Sequence, residues 1–328
     1  MMSNVLFLTW IQHRRTRHLC ERLDLPLAEL ISRHRGLRRY VELTIRTIKT
    51  LYTRRPRAVI VQSPSVILTL ICLMLRPFFR YQLMIDAHNE AVEPYLHTSA
   101  IMRGITHLIL KRSDLIIVTN EQLAAVVIGQ GGRVLVLPDG IPTPPVVRKK
   151  ELVGDFKIVL ISTFSGDEPF NVVVDTMRQM ESDIHLYVTG NPSKLPAEMR
   201  RSLPDNITLT GFLDEDDYWS TLVSADAVMD LTTMQNCLVC GAYEAIAVQR
   251  PLLLSRNDAS VELFSDFAVF TDNTVDGLLE AIATLRSRRD EILFTFPTSR
   301  QRFERNWDVG ASRLLSLLAE GQTSSPSV

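Results

Sequence analysis

Short, almost wholly apolar runs alternate with helix-length segments along this chain, and the series occurs twice. In the first half the runs are Val5–Thr9, Ala58–Gln62, Gln82–Asp86, Leu115–Thr119 and Val134–Leu137. Helical segments such as Leu37–Thr53, Val66–Leu75 and Ala100–Lys111 are expected between them. Strands this uniformly apolar are covered on both faces, which is the mark of a parallel sheet. The rhythm implies right-handed strand–helix–strand units. Residues 137–150 then carry Pro138, Pro142, Pro144 and Pro145, a density that predicts a linker. A second series follows, with strands expected at Lys157–Ser162, Ile184–Thr189, Ile207–Thr210, Ala227–Leu231, Leu252–Leu254 and Ala268–Phe270. Its helices fit Phe170–Met180, Asp216–Val223, Gly241–Val248 and Val275–Arg286, and a last long helix fits Thr298–Ala319. The expected class is α/β, with two doubly wound domains at 1–145 and 146–300, then a C-terminal helix and loose tail at 301–328. Two such sheets leave a cleft, with ligands outside the carboxyl ends of the strands.

Composition narrows the function classes. With 46% hydrophobic and 22% charged residues the chain can bury a large core. A formal net charge of −1 gives no general drive toward nucleic acid. The N-terminal part is nonetheless basic, with Arg14, Arg15, Arg17, Arg33, Arg35, Arg38, Arg39, Arg54, Arg55 and Arg57. Cys237 and Cys240 have CxxC spacing, but no second pair completes a zinc site, so free thiols in a reducing cytoplasm and no metal are expected. The start, Val5 to Trp10, lacks a basic leader and is too short for a signal peptide, which points to the cytoplasm. The longest apolar run, Val66 to Leu75, is stopped by Arg76-Pro77 and cannot span a bilayer. It reads as a buried helix, or as a helix dipping into a membrane surface with Phe78, Phe79 and Arg80.

Residues that follow strands carry the candidate chemistry. Asn236 to Leu254 holds a small-residue helix with Gly241, Ala242, Ala245 and Ala247. Free amides at its start, near Leu238–Gly241, suit a diphosphate. Glu244, one turn in, can accept hydrogen bonds from ribose hydroxyls. The plainer alternative is an ordinary helix with one solvated Glu. Ser162 and Thr163 can offer hydroxyls and amides to phosphate, although Asp167-Glu168-Pro169 also reads as a simple capped helix start. Thr210-Gly211-Phe212-Leu213 is a turn where glycine permits close backbone approach. Gly190-Asn191-Pro192 carries a weaker version of that signal. In the first half His88 stands with Asp86, Asn89 and Glu90 just past a strand. His13, Arg14 and Arg15 follow the first strand, where clustered cations suit an anionic acceptor, or simply begin a solvated helix. Asp214-Glu215-Asp216 reads as an acidic helix start, not a metal site.

Glu244-Ala-Ile-Ala and Pro251 resemble the donor-binding segment of the GT-B glycosyltransferases grouped with family GT4. The resemblance implies two Rossmann-like domains facing a central cleft, with the C-terminal helix packing back toward the first. It implies a metal-independent enzyme without cofactor, moving a sugar from a UDP- or GDP-type donor to a glycan or lipid-linked acceptor hydroxyl. Retention is favoured over inversion. The setting implied is surface polysaccharide or glycolipid assembly at the inner face of the cell membrane, with peripheral membrane contact. Glu244 takes the ribose, and Asn236, Leu238, Ser162 and Thr163 approach the rest of the donor. Phe212 and Leu213 meet the base, and His88 lies near the donor sugar. Asp86 or Glu90 would be the base of an inverting enzyme, while His13, Arg14 and Arg15 face the acceptor. The chain departs from the pattern in Asn236 at the first acidic position, in lacking the Arg/Lys pair for donor phosphates, and in Gln249 for the turn glycine. Two rival readings remain: a nucleotide-sugar 2-epimerase, and a non-catalytic partner subunit.

Overall fold

The computed structural model describes residues 4–63, 65–89, 91–92, 99–181 and 183–323. The chain forms two compact units: residues up to Gly140 together with those from Arg305 on, and Ile141–Glu304.

The first unit is a six-stranded sheet in the order β2-β1-β3-β4-β5-β6, every neighbouring pair parallel. Its strands are β1 Val5–Thr9, β2 Leu27–Glu29, β3 Ala58–Ser63, β4 Gln82–Ala87, β5 Leu115–Val118 and β6 Val134–Val136. The helices among them are α1 Arg14–Arg22, α2 Gly36–Arg54, α3 Val66–Phe79, α4 Ala100–Arg112 and α5 Glu121–Gly129. Alternation along a strand explains the uniform apolarity. Leu6 and Leu8 of β1 join the core layer built with Leu43, Leu68, Ile109 and Leu123 from α2, α3, α4 and α5. Val5 and Phe7 join the opposite layer, with Leu19 and Cys20 of α1. One edge element was not expected from sequence, and the helix start read at His13–Arg15 proves partly buried and not solvated. Strand β2 is only three residues long and pairs with β1 at the edge. Helix α1 hides its amphipathic pattern among arginines, with Arg15, Thr16, Leu19 and Cys20 turned inward.

Helix α3 does not stop before Pro77 but runs to Phe79, capped by Arg80 in the left-handed region. A proline costs the carbonyl four residues earlier its partner, and in a last turn that loss is small. The expected burial holds for one face only. Leu68, Thr69 and Cys72 are buried, whereas Met74 and Phe78 stand 72% and 81% exposed. Among the described residues no helix is long and apolar enough to cross a membrane.

The second unit is also a six-stranded parallel sheet, in the order β12-β11-β10-β7-β8-β9. It contains β7 Phe156–Leu160, α6 Phe170–Met177, β8 Ile184–Thr189, α7 Ala197–Arg201, β9 Ile207–Gly211 and α8 Glu215–Ser224. Then come β10 Ala227–Asp230, α9 Cys240–Ala247, β11 Leu252–Ser255, α10 Asp258–Phe264, β12 Ala268–Thr271 and α11 Val275–Thr323. The acidic run is a helix start, as read: Asp214 accepts from the Asp217 amide at 2.9 Å and caps α8. The strand order reverses between β7 and β10. The loops after those two strands therefore diverge and leave the crevice that such sheets use for ligands.

Helix α11 corrects the expected break between Val275–Arg286 and Thr298–Ala319: it is one helix with Pro297 inside. Its buried residues Leu278, Ile282, Leu285, Ile292, Phe296, Phe303, Trp307, Ala311, Leu314 and Leu318 keep a helical spacing straight through the proline. Pro297 lies on the exposed side, where water can serve the carbonyl it leaves unpaired. Up to Phe303 these residues belong to the core of the second unit, and from Trp307 to that of the first. Trp307 donates its indole N–H to the Pro138 carbonyl at 3.0 Å and carries the Arg22 guanidinium 3.8 Å above its ring. The C-terminal helix thus packs on the first unit, as expected. Trp307→Ala should cost about 3–5 kcal/mol of stability, from lost burial and the cavity left behind. Urea unfolding followed by circular dichroism measures it.

Candidate functional site

In the second unit the loops after β7 and β10 are tied together at the switch point by Asp167. Its carboxylate accepts from the Thr232 hydroxyl at 2.8 Å, and its carbonyl accepts from the Thr233 amide at 2.7 Å. The next residue, Glu168, folds back onto the loop that precedes it. Its carboxylate accepts from Ser162 Oγ at 2.5 Å, Thr163 N at 2.9 Å, Thr163 Oγ1 at 2.7 Å and Phe164 N at 2.9 Å. Phe164 has φ 53°, and this left-handed residue lets successive amides converge on one anion. Gly190, φ 100° at the end of β8, passes so close that any Cβ would collide with the Ser162 carbonyl. Lys194 brings a cation to the same place, donating to the Thr163 carbonyl at 2.7 Å. The donors expected of Ser162 and Thr163 therefore exist and converge, but a carboxylate of the chain itself holds them. Helix α6 begins at Phe170, after this turn, with Pro169 at its N-cap and not in its first turn.

The start of α9 departs from expectation in a similar way. The Gly241 amide is not free: it donates to Asp230 Oδ2 at 2.9 Å. Glycine is required here, because a Cβ would strike that carboxylate and the Ile161 side chain. Asp230, at the end of β10, is buried, and burial pushes its carboxyl well above the usual range. The Gly241 hydrogen bond opposes the shift, while Glu244, Glu168 and Asp167 add to it. Glu244 is not a solvated glutamate either. It is buried, and its carboxylate accepts from the Tyr218 hydroxyl on α8. Asn236 takes the left-handed conformation (φ 55°) in the loop before the helix, where Leu238 is half-buried. Gly211, the last residue of β9, has φ 76°; past it Phe212 stands 87% exposed and Leu213 is half-buried.

In the first unit the structure gathers His13, Arg15, Asp86 and His88 at the carboxyl ends of β1, β4 and β6. Arg15 is buried, and its role differs from the expected one. Its Nη2 donates to Asp86 Oδ1 at 2.9 Å and to the Leu137 carbonyl at 3.0 Å, and Nη1 donates to Asp139. Burial opposes the guanidinium charge, but Asp86 and Asp139 outweigh it and raise its pKa. Arg15 therefore ties the sheet together and has no charge to spare for an acceptor. Asp86 is fully buried, and burial alone would favour its neutral form. Arg15 first, and His88 after it, overcome this and hold the carboxyl well below the ordinary range. A carboxylate so stabilised is a poor proton acceptor, so Asp86 is not placed to act as the base.

His88 Nε2 lies 3.6 Å from Asp86 Oδ2, and the His13 ring meets His88 edge-on at 4.5 Å between centroids. Burial, with His88 beside it, lowers the His13 pKa to about 4. His13 is therefore neutral at pH 7 and supplies no charge to an anionic acceptor. His13 Nδ1 and His88 Nε2 are buried without a hydrogen-bond partner among the described residues. Arg14 is exposed on α1, and Glu90 lies outside the described residues. Sequence reading missed Asp139, Asp230, Tyr218 and Lys194. Asp230 ends an apolar strand ahead of a glycine helix start, which is the one local signal that could have marked it.

No family model and no curated protein matches the chain. Solved structures do. Sucrose-phosphate synthase from Thermosynechococcus elongatus superposes with TM-score 0.74 at 17% identity, over 98% of this chain and 90% of the other. Anabaena HepE, solved in complex with UDP and glucose, gives 0.73 at 13% identity, over 96% and 99%. A Listeria monocytogenes protein described as a UDP-N-acetylglucosamine 2-epimerase gives 0.60 at 13% identity, over 98% and 97%. The fold is therefore GT-B, as expected, and it is shared by sugar-transferring and epimerase-type proteins.

Two outcomes are expected. Arg15→Ala leaves Asp86 buried without its partner and should lower unfolding free energy by about 3–5 kcal/mol, read by denaturant titration. Asp230 holds its proton better folded than unfolded. Its contribution is thus full below the ordinary carboxylate range and is lost as pH rises through its raised folded value. Asp230→Asn should therefore raise the melting temperature near pH 8, with the gain vanishing toward about pH 4. A pH series of melting curves for the two proteins checks this.

Proposed function

We propose that this protein transfers a sugar from a nucleoside diphosphate donor, of UDP or GDP type, to an acceptor hydroxyl. The observation that carries the reading is Glu244, a buried carboxylate held by Tyr218 beside the switch point of a GT-B fold. A carboxylate has the acceptor capacity to take both vicinal hydroxyls of a ribose. The bare Phe212 ring offers a flat apolar surface for a base. HepE, of the same fold, was solved with UDP and glucose.

In this reading the amides of Thr163 and Phe164 are the donors that a phosphate oxygen needs, and Lys194 is the cation that stands in for the absent Arg/Lys pair. Glu168 has to leave for the donor to enter. In the first unit Asp86 is committed to Arg15. This favours retention of configuration, in which the leaving diphosphate takes the acceptor proton, over a course that needs a carboxylate base. Use of a glycan or lipid-linked acceptor in surface polysaccharide or glycolipid assembly, placement in family GT4, cytoplasmic location and metal independence belong to the same proposal.

The second reading is a non-catalytic partner subunit. Glu168 favours it, because an anion of the chain already fills the phosphate donors. The epimerase reading would need an acid and a base at one sugar carbon, and His88 with His13 is the pair available for it.

A thermal-shift panel of nucleoside diphosphates and their sugars separates these. At about one hundred times the dissociation constant, the right nucleotide should add ~2.7 kcal/mol of stability. Glu244→Gln and Tyr218→Phe should each remove most of that shift. An equal shift in Glu244→Gln would end the ribose assignment. Nucleotide release dependent on acceptor supports transfer, binding without release supports the subunit, and sugar conversion without acceptor supports the epimerase.

A further inference from the structure

The helical layer on one face of the first sheet has a second apolar side that faces water. Helices α2, α3 and α4 share one core layer, with α3 packed against both of the others. Beyond the residues each turns into that core, each carries a second apolar stripe. On α2 it is Leu37, Val41, Ile45, Ile48 and Tyr52, all exposed and spaced at three and four residues. On α3 it is Ile67, Met74 and Phe78, and on α4 Ile101 and Leu108, again one helical face each. Leu37, Phe78 and Ile101 are 80%, 81% and 76% exposed. Monomeric soluble proteins rarely leave so many large apolar side chains together in water.

The charges around these stripes have one sign. Arg38 and Lys49 flank the stripe on α2, Arg54 and Arg55 end that helix, Arg80 caps α3, and Arg103, Lys111 and Arg112 lie on α4. Helices α3 and α4 contain no acidic residue, and Glu42 of α2 is paired with Arg46. Apolar side chains ringed by cations suit a surface with an acyl interior and anionic headgroups. A second copy of the chain fits poorly, since it would bring the same cations face to face.

We propose that the outer face of α2, α3 and α4 docks on an anionic lipid bilayer. The apolar stripes enter the headgroup boundary, and the flanking Arg and Lys meet the headgroup phosphates. This goes beyond the transfer reaction and does not depend on it, because every residue involved lies outside both candidate sites.

The test is flotation of the full chain with two kinds of vesicle, pure phosphatidylcholine and phosphatidylcholine mixed with phosphatidylglycerol. Binding to the anionic vesicles should exceed binding to the neutral ones by about tenfold or more and weaken as salt is raised. Met74→Ser combined with Phe78→Ser, and separately Arg38→Glu combined with Arg103→Glu, should each lower anionic-vesicle binding by about tenfold with unchanged melting temperature. Three results would overturn the proposal: no flotation with anionic vesicles, equal binding to both vesicles, or a concentration-dependent dimer that the Met74 and Phe78 changes dissolve. The nucleotide shift of the second unit is read independently, so either proposal can fail while the other stands.

Discussion

A parallel strand buried on both sides needs a packed layer on each, and this requirement organises the chain. In the first unit α2 to α5 supply one layer. Among the described residues, the opposite layer takes helical side chains only from α1 in the same stretch of sequence. Trp307, Ala311, Leu314 and Leu318 complete it from the far end of the chain. The long helix α11 is thus shared covalently by both units: one stretch of a single apolar stripe serves the second core, the next serves the first. Its proline is tolerated because the stripe continues past it.

Charge is handled differently in the two units. The buried acid of the first, Asp86, faces a guanidinium and stays ionised. The buried acid of the second, Asp230, meets an amide and three other carboxylates, and is driven toward its neutral form. A carboxylate in a low-dielectric site must find an opposite charge or surrender its own. The loop after β7 adds a further anion, Glu168, satisfied by hydroxyls and amides alone. That end of the second sheet therefore combines donors suited to an oxyanion with a surplus of acids that an incoming phosphate would have to displace or neutralise. The tension between the two is the physical content of the choice between transferase and binding subunit.

Much of the fold was legible because two-sided burial writes itself as uninterrupted Val, Ile and Leu. Strands β1, β3, β4 and β8 were readable to within a residue for that reason. Strand β2 was not, since three residues at an edge carry no pattern. The break assigned between Arg286 and Thr298 is absent because the apolar periodicity runs straight through Pro297. The site was legible in position more than in role. Residues just past strands, such as His88, Ser162 and Asn236, could be singled out by place alone. What Arg15 does could not be, because its partner Asp86 lies 71 residues away. Glu168 was misjudged for the opposite reason. Its contacts are local, but they depend on a left-handed Phe164 that no residue type announces. Glu244 was singled out by place, but its burial and its Tyr218 partner on α8 were not legible, because that partner lies 26 residues away.

The closing of the first core by α11 also sets an order of events at the ribosome. Residues up to Gly140 emerge with one side of their sheet, around Phe7, Ile60 and Ile117, still lacking its cover. The second unit has all its strands before that cover is translated, so the half made first is the half finished last. For the time it takes to synthesise the intervening stretch, the nascent N-terminal half keeps part of its apolar sheet face open to water, the kind of surface that invites aggregation.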